Sequence, residues 1–162
     1  MALTVPALWP FWGRRSRRRP AGSRPATAEE RTVRRFYEEV CNEGREEVAP
    51  QLFTEDHRFH GPQGPTGDGP QGVVATVSAH RQAMREHRDV EDLFSTGDRV
   101  VVRWVGTGAP VGLVQNVADT QREVWVDAIS IHRLEGGKIA ETWEAWDTEG
   151  SLRTPSAVAQ PT

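Results

Sequence analysis

Apolar positions follow two different periods along this chain. Between residues 27 and 44, Val33, Phe36, Tyr37 and Val40 recur at i, i+3, i+4 and i+7, the spacing that gathers side chains on one helical face. Thr27 followed by Glu30 makes a capping box at the start, and Asn42, Glu43 and Gly44 supply a stop signal. A second, short helix is predicted over "REEVAPQLF", interrupted or restarted near Pro50. "TEDHRFH" reads as an extended segment and leads into "GPQGPTGDGPQG", a loop rich in glycine and proline. A third helix is expected from about Gln71 to His87, with Val74, Val77 and Met84 on one side.

Beyond that helix the pattern changes to the alternation of strands. "DVEDLFS" and "RVVVRWVGTG" flank "TGD", and "EVWVDAISIHRL" and "KIAETWEAW" flank "EGG". Each set predicts a hairpin. Between the hairpins, "APVGLVQNVADTQ" carries no clear period and stands as a connecting loop. Helices first and antiparallel strands afterwards give an α+β layout, with helices covering one face of a curved sheet.

Composition adds bounds. A chain of 162 residues, 36% hydrophobic and 27% charged, has room for one domain with a real core. The single cysteine, Cys41, excludes an intrachain disulfide framework and any CxxC metal site. No apolar run approaches the roughly 18 to 20 residues that a bilayer crossing needs, so a cytoplasmic protein with no membrane partner is expected. The net charge of −3 conceals an asymmetry: residues 1–28 hold six arginines and no acid, leaving 14 basic against 23 acidic residues, a net of −9. Phosphate repulsion makes so acidic a body a poor nucleic-acid binder. Residues 1–28 read as a disordered arginine-rich arm, either a solvated tail or a patch for anionic partners. Residues 29–152 form the domain, and 153–162 a flexible C-terminal tail.

Candidate chemistry concentrates near the end. Glu141, Glu144 and Asp147 are spaced by three among Trp143 and Trp146. In a strand, Thr142, Glu144 and Trp146 share one face, while Glu141, Trp143, Ala145 and Asp147 share the other. The three acids therefore do not share a face, and at most one or two of them can point inward. A carboxylate held among tryptophans has its charged form desolvated and its pKa raised towards the range of a general base. Trp104, Trp125, Trp143 and Trp146 are individually core or interface residues, or together the walls of a cavity for a flat ligand. His57 and His60 fall on opposite faces of an extended segment, and His60 is the one expected at a cavity mouth. With no third ligand evident beside Asp56, no metal is expected. His80 and His87, at helical spacing with Arg81 and Arg88 beside them, read as a solvated face. Arg103 and Asp127 suggest either a paired contact across the sheet or groups that point into a pocket. Cys41 has no evident base partner.

Four strings in order, "VRRFYEEVCNEG", "LFTEDHRFHGP", "EDLFSTGDRVVVRW" and "ISIHRLEGGKIAETWEAWD", resemble the SnoaL-like polyketide (ester) cyclase branch of the nuclear-transport-factor-2-like superfamily, over about residues 30 to 152. The resemblance implies a cone-shaped α+β barrel, a curved antiparallel sheet wrapped by three N-terminal helices around one apolar cavity. It also implies a homodimer. In the cyclases that name the family, an acid on the last strand removes a proton activated by carbonyls, and the enolate closes a ring by aldol addition without a cofactor. That acid falls five residues after the isoleucine that follows the hairpin turn, which is Glu144 here. Asp147 matches a following aspartate, and Ser130 stands where those cyclases carry a histidine. Glutamate for aspartate lengthens the acid by one methylene, and serine for histidine replaces a titratable partner with a neutral hydroxyl. The implied catalytic set is Glu144, Asp147 and Ser130, with Trp146, Trp104, Trp125, His60 and Tyr37 contacting a small hydrophobic or aromatic carbonyl ligand. The alternatives on this scaffold are a non-catalytic ligand-binding protein and a hydrolase or isomerase.

Overall fold

The computed structural model describes residues 25–62, 67–109 and 124–147. The expected arm (apart from 25–28), the C-terminal tail and nearly all of the loop between the hairpins lie outside the described residues.

Helix α1, Ala28–Arg35, begins with the expected capping box. The Glu30 N–H donates to Thr27 Oγ1 and the Thr27 N–H to Glu30 Oε2, each at 3.1 Å. The helix then widens into i→i+5 turns over Phe36–Asn42, a form that hydrophobic spacing does not announce. Val33, Phe36, Tyr37 and Val40 are all buried, so the stripe survives the widening. A short 3₁₀ turn, Glu46–Val48, leads into α2, Ala49–Leu52, with Pro50 in its first turn. Pro50 thus begins this helix rather than breaking it, because the first turn needs no N–H donor.

Strand β1, Phe53–His60, follows directly, and then α3, Gly69–Met84. Helix α3 starts two residues before the expected Gln71, with Pro70 in its first turn, and it stops at Met84, where Arg85 takes a left-handed conformation. His87 therefore opens β2, His87–Thr96, instead of ending the helix. Strands β3, Arg99–Gly108, β4, Val124–Glu135, and β5, Lys138–Trp146, complete the sheet. The Gly97–Asp98 connection and the Gly136–Gly137 turn are the two predicted hairpins, and both glycines of the second take positive φ, as tight hairpin turns require.

The sheet runs β1-β5-β4-β3-β2, with β1 parallel to β5 and every other pair antiparallel. It is curved and unclosed, an α+β cone with the three helices against it. Val33, Tyr37, Val40, Val100, Val102 and Ile139 are wholly buried between the helices and the sheet. Arg103 and Asp127 do not pair: Arg103 stands opposite Ile129 and Asp127 opposite Val105. Both are exposed, and Arg103 instead approaches Glu91 at 3.8 Å. Among the described residues, no helix is long and apolar enough to cross a membrane.

The packing of α3 on β1 sets one wall of the interior, and Gly69 allows the close approach. It adopts φ +68, and a Cβ there would sit 2.6 Å from the Glu55 carbonyl oxygen. Gly69→Ala is expected to lower the unfolding free energy by about 2 kcal/mol or more, from backbone strain plus overpacking. Urea titration checks this, and an unchanged midpoint would mean that α3 is not fixed at this contact.

Candidate active site

A cavity opens between α3 and the concave face of the sheet, walled by Phe36, Phe53, Phe59 and Trp146 with Val73 and Val77. Six polar side chains also line it: His57, Thr76, His80, Arg88, Thr142 and Glu144. Thr142, Glu144 and Trp146 share one face of β5, as alternation predicted, and the structure turns that face to the cavity. Glu141 lies on the other face, where it accepts from His60 Nε2 at 2.8 Å and Arg133 Nε at 3.3 Å.

Glu144 is held by a directed relay. Ser130 is its cross-strand partner on β4, and Ser130 Oγ lies 2.7 Å from Glu144 Oε2. Trp104 Nε1, on β3, lies 2.9 Å from the same Ser130 Oγ. An indole N–H can only donate and a carboxylate can only accept, so the serine hydroxyl must accept from Trp104 and donate to Glu144. Burial raises the Glu144 pKa, while the positive charge of Arg88 and the Ser130 hydrogen bond oppose that rise.

Arg88, expected beside His87 on a solvated helical face, instead lies buried on β2, because α3 ends at Met84. Its guanidinium is buried, lies 4.6 Å over the Trp104 ring, and forms a two-pronged contact with Glu86 at 3.1 and 3.2 Å. Arg88 Nη2 also approaches His80 Nδ1 at 3.3 Å. A guanidinium only donates, so His80 Nδ1 accepts and the ring is neutral; burial first, and then Arg88, lower its pKa. His80 is thus a cavity residue and not part of a solvated face, because α3 turns that side towards Arg88.

A second buried polar chain runs alongside. Tyr37 OH lies 3.1 Å from His132 Nε2, His132 Nδ1 lies 3.0 Å from Thr142 Oγ1, and Thr142 Oγ1 lies 3.0 Å from His57 Nε2. Burial lowers the His57 pKa to about 4 and the His132 pKa to about 3, so both rings are neutral near pH 7. His132 has the same strand parity as Ser130, a signal that was present in the sequence. His57 has the parity of Phe53 and Phe59, which also line the cavity.

The other expected site residues divide. Trp146 lines the cavity, whereas Trp104 supports Ser130 from behind and Tyr37 sits fully buried beneath the second chain. His60 does not reach the cavity: it stacks on Trp143 at 5.4 Å on the outer face, so His57 takes the inner place. Asp147 is exposed just past β5, its N–H donating to the Asp127 carbonyl at 3.1 Å, and it is not brought to Glu144. The backbone of Trp125 belongs to β4, and its side chain lies outside the described residues. Burial pushes the Cys41 thiol up to about 12, which leaves it protonated and unreactive. Among the described residues, no three His, Cys, Asp or Glu side chains converge on a metal position.

The chain belongs to the SnoaL-like polyketide cyclase family, whose model matches residues 31–154. Solved structures share the fold. A candidate SnoaL-like polyketide cyclase from Jannaschia sp. CCS1 superposes with a TM-score of 0.70 at 22% identity, over 86% of this chain and 100% of that one. IdmH from Streptomyces antibioticus, a candidate polyketide cyclase, gives 0.67 at 24%, covering 76% and 95%. A candidate polyketide cyclase from Bacillus cereus ATCC 10987 gives 0.63 at 28%, covering 80% of each chain. No curated protein sequence matches the chain.

Two outcomes follow from these contacts. Ser130→Ala removes a donor to the charged carboxylate, so the Glu144 pKa is expected to rise further, read by carbon-13 NMR titration of the glutamate side chains; a fall would reverse the assigned donor direction. His57 and His132 bind protons less readily folded than unfolded. Their contribution to stability is therefore complete above their ordinary 6.5 and is lost as pH falls through about 4 and about 3. In His57→Phe, the urea midpoint should decline less steeply with falling pH than in the wild type. Equal slopes would remove His57 from that window.

Proposed function

We propose that this protein is a polyketide-cyclase-type enzyme that closes a ring in a carbonyl compound by cofactor-independent acid/base chemistry. The observation that carries the reading is a carboxylate, Glu144, facing an apolar cavity at the end of the directed Trp104–Ser130 relay. Burial favours the protonated acid, while the relay and Arg88 favour the carboxylate. That balance suits a group that must both take and return a proton.

The reaction needs no outside reagent. A Glu144 carboxylate oxygen takes a proton from a carbon flanked by carbonyls, and the C–H electron pair passes into an enolate. The enolate carbon then bonds to a second carbonyl carbon of the same molecule, whose π pair becomes an alkoxide. The alkoxide takes a proton back from the Glu144 carboxyl, so product and substrate are isomers. Arg88 supplies a fixed positive charge beside the developing oxyanion, and Ser130 orients the base. The working form is taken to be a homodimer that binds a small hydrophobic or aromatic carbonyl ligand.

Glu144→Gln keeps the shape and removes the base. Ring closure of a poly-β-keto methyl ester that the wild type cyclises is expected to slow by about a hundredfold or more, with the fold intact by circular dichroism. Full turnover in the variant would take Glu144 out of the chemistry, and a wild type that binds such esters without closing the ring would leave a small-ligand-binding protein as the reading.

A further inference from the structure

Helix α3 gives the cavity one continuous stripe: Val73, Thr76, Val77 and His80, at i, i+3, i+4 and i+7, all line it. The Thr76 hydroxyl is committed to its own helix, donating to the Gly72 carbonyl at 2.9 Å. His80 closes the stripe, and its side chain is 36% exposed, so the ring stands where the cavity meets solvent. One ring nitrogen is taken. Nδ1 accepts from Arg88 Nη2 at 3.3 Å, while Glu86 Oε2, at 3.7 Å, is too distant to be its hydrogen-bond partner.

The other nitrogen is accessible. Among the described residues the Arg88 contact is the ring's only hydrogen bond, so Nε2 is unpaired. The unpaired side-chain polar atoms that are also buried are Thr54 Oγ1 and His57 Nδ1, and His80 Nε2 is therefore open. It lies at the end of the side chain farthest from α3, on a ring that forms part of the cavity wall. Its polarity is fixed as well. A neutral imidazole carries one proton, and a guanidinium can only donate. With Nδ1 held as the acceptor, the proton sits on Nε2, which is a donor alone.

We propose that His80 Nε2 is a second docking point of the cavity, donating to an acceptor oxygen of the ligand at a place apart from Glu144. The assignment rests on the cavity being the ligand site proposed above, but it requires no ring closure. Nδ1 and Nε2 face different sides of the ring, so this oxygen lies away from Arg88 and is not the oxyanion beside that charge. The ligand class narrows accordingly. An apolar frame carries at least two oxygen functions, one for the Glu144 and Arg88 end and one, with a free lone pair, for His80. A group that can only donate, such as an ammonium, is refused at the second place.

The test measures binding with probes that cannot cyclise. These are 2,6-diacetylnaphthalene and its near-isostere 2,6-diethylnaphthalene, titrated against the full chain by calorimetry. An oxygen at each end of the diketone removes any ambiguity of orientation. His80→Phe is expected to weaken the diketone about fivefold, the worth of one hydrogen bond, and to leave the hydrocarbon unchanged. His80→Gln, which keeps a side-chain N–H donor, should recover the diketone's affinity, as a packing role for the ring would not. Proton–nitrogen NMR on the wild type at neutral pH provides a readout that needs no variant. It should show the His80 proton on Nε2, and that N–H should shift on adding the diketone and stay still with the hydrocarbon. A proton found on Nδ1, an unmoved Nε2–H, equal losses for both probes in His80→Phe, or failure of both probes to bind would each overturn the assignment. Ring closure by Glu144 enters none of these measurements, so the docking point and the cyclase reading can fail independently.

Discussion

The hydrogen bond from Ser130 to Glu144 is the interaction around which the interior is arranged. A carboxylate facing an apolar cavity is unfavourable unless donors and positive charge meet it. Here the donor is a hydroxyl whose own orientation is imposed by the Trp104 indole, and the charge is an arginine laid over that same indole ring. Trp104 therefore serves both supports at once. Its burial at 2% exposure ties the electrostatics of the site to the packing of the core, since movement of that ring disturbs donor and cation together.

Sheet register makes the arrangement possible. Ser130 and Glu144 are direct partners across β4 and β5, and His132 and Thr142 are the next inward pair along. Two polar cross-strand pairs on the concave face thus found two networks, one reaching Glu144 and the other His57. On the convex face, Glu141, Trp143 and Arg133 of the same strands meet one another and His60 of β1. Period-two alternation assigns residues to the cavity or to the outside with little ambiguity, because one face of each strand is buried.

The strand that carries the candidate base was legible for this reason. Alternation alone separates Glu144 from Glu141 and Asp147, and the resemblance picks the same residue by a different argument. The capping box, both hairpins and the buried stripe of the first helix were equally local, each resting on neighbours within a few residues. His57 and His60 show where such reading stops. Alternation says correctly that they face opposite ways, but which one faces inward depends on the parallel pairing of β1 with β5, a contact between segments about 80 residues apart. Phe53 and Phe59 held that information only once their side of the strand was known. Arg88 and His80 were out of reach altogether, since each looks like one charge among many until α3 and β2 are brought together.

What the sequence determined by itself was the kind and order of elements, the face each strand residue occupies relative to its neighbours, and the family to which the chain belongs. These depend on short-range periodicity and turn chemistry, which any local stretch carries. The tertiary structure alone decided which face is the cavity, that Arg88 stands beside Glu144, and that Thr142 joins two imidazoles. Those outcomes depend on how distant segments share a confined, low-dielectric space. There the stability of a charge or a hydrogen bond is set by what surrounds it and not by its place in the chain.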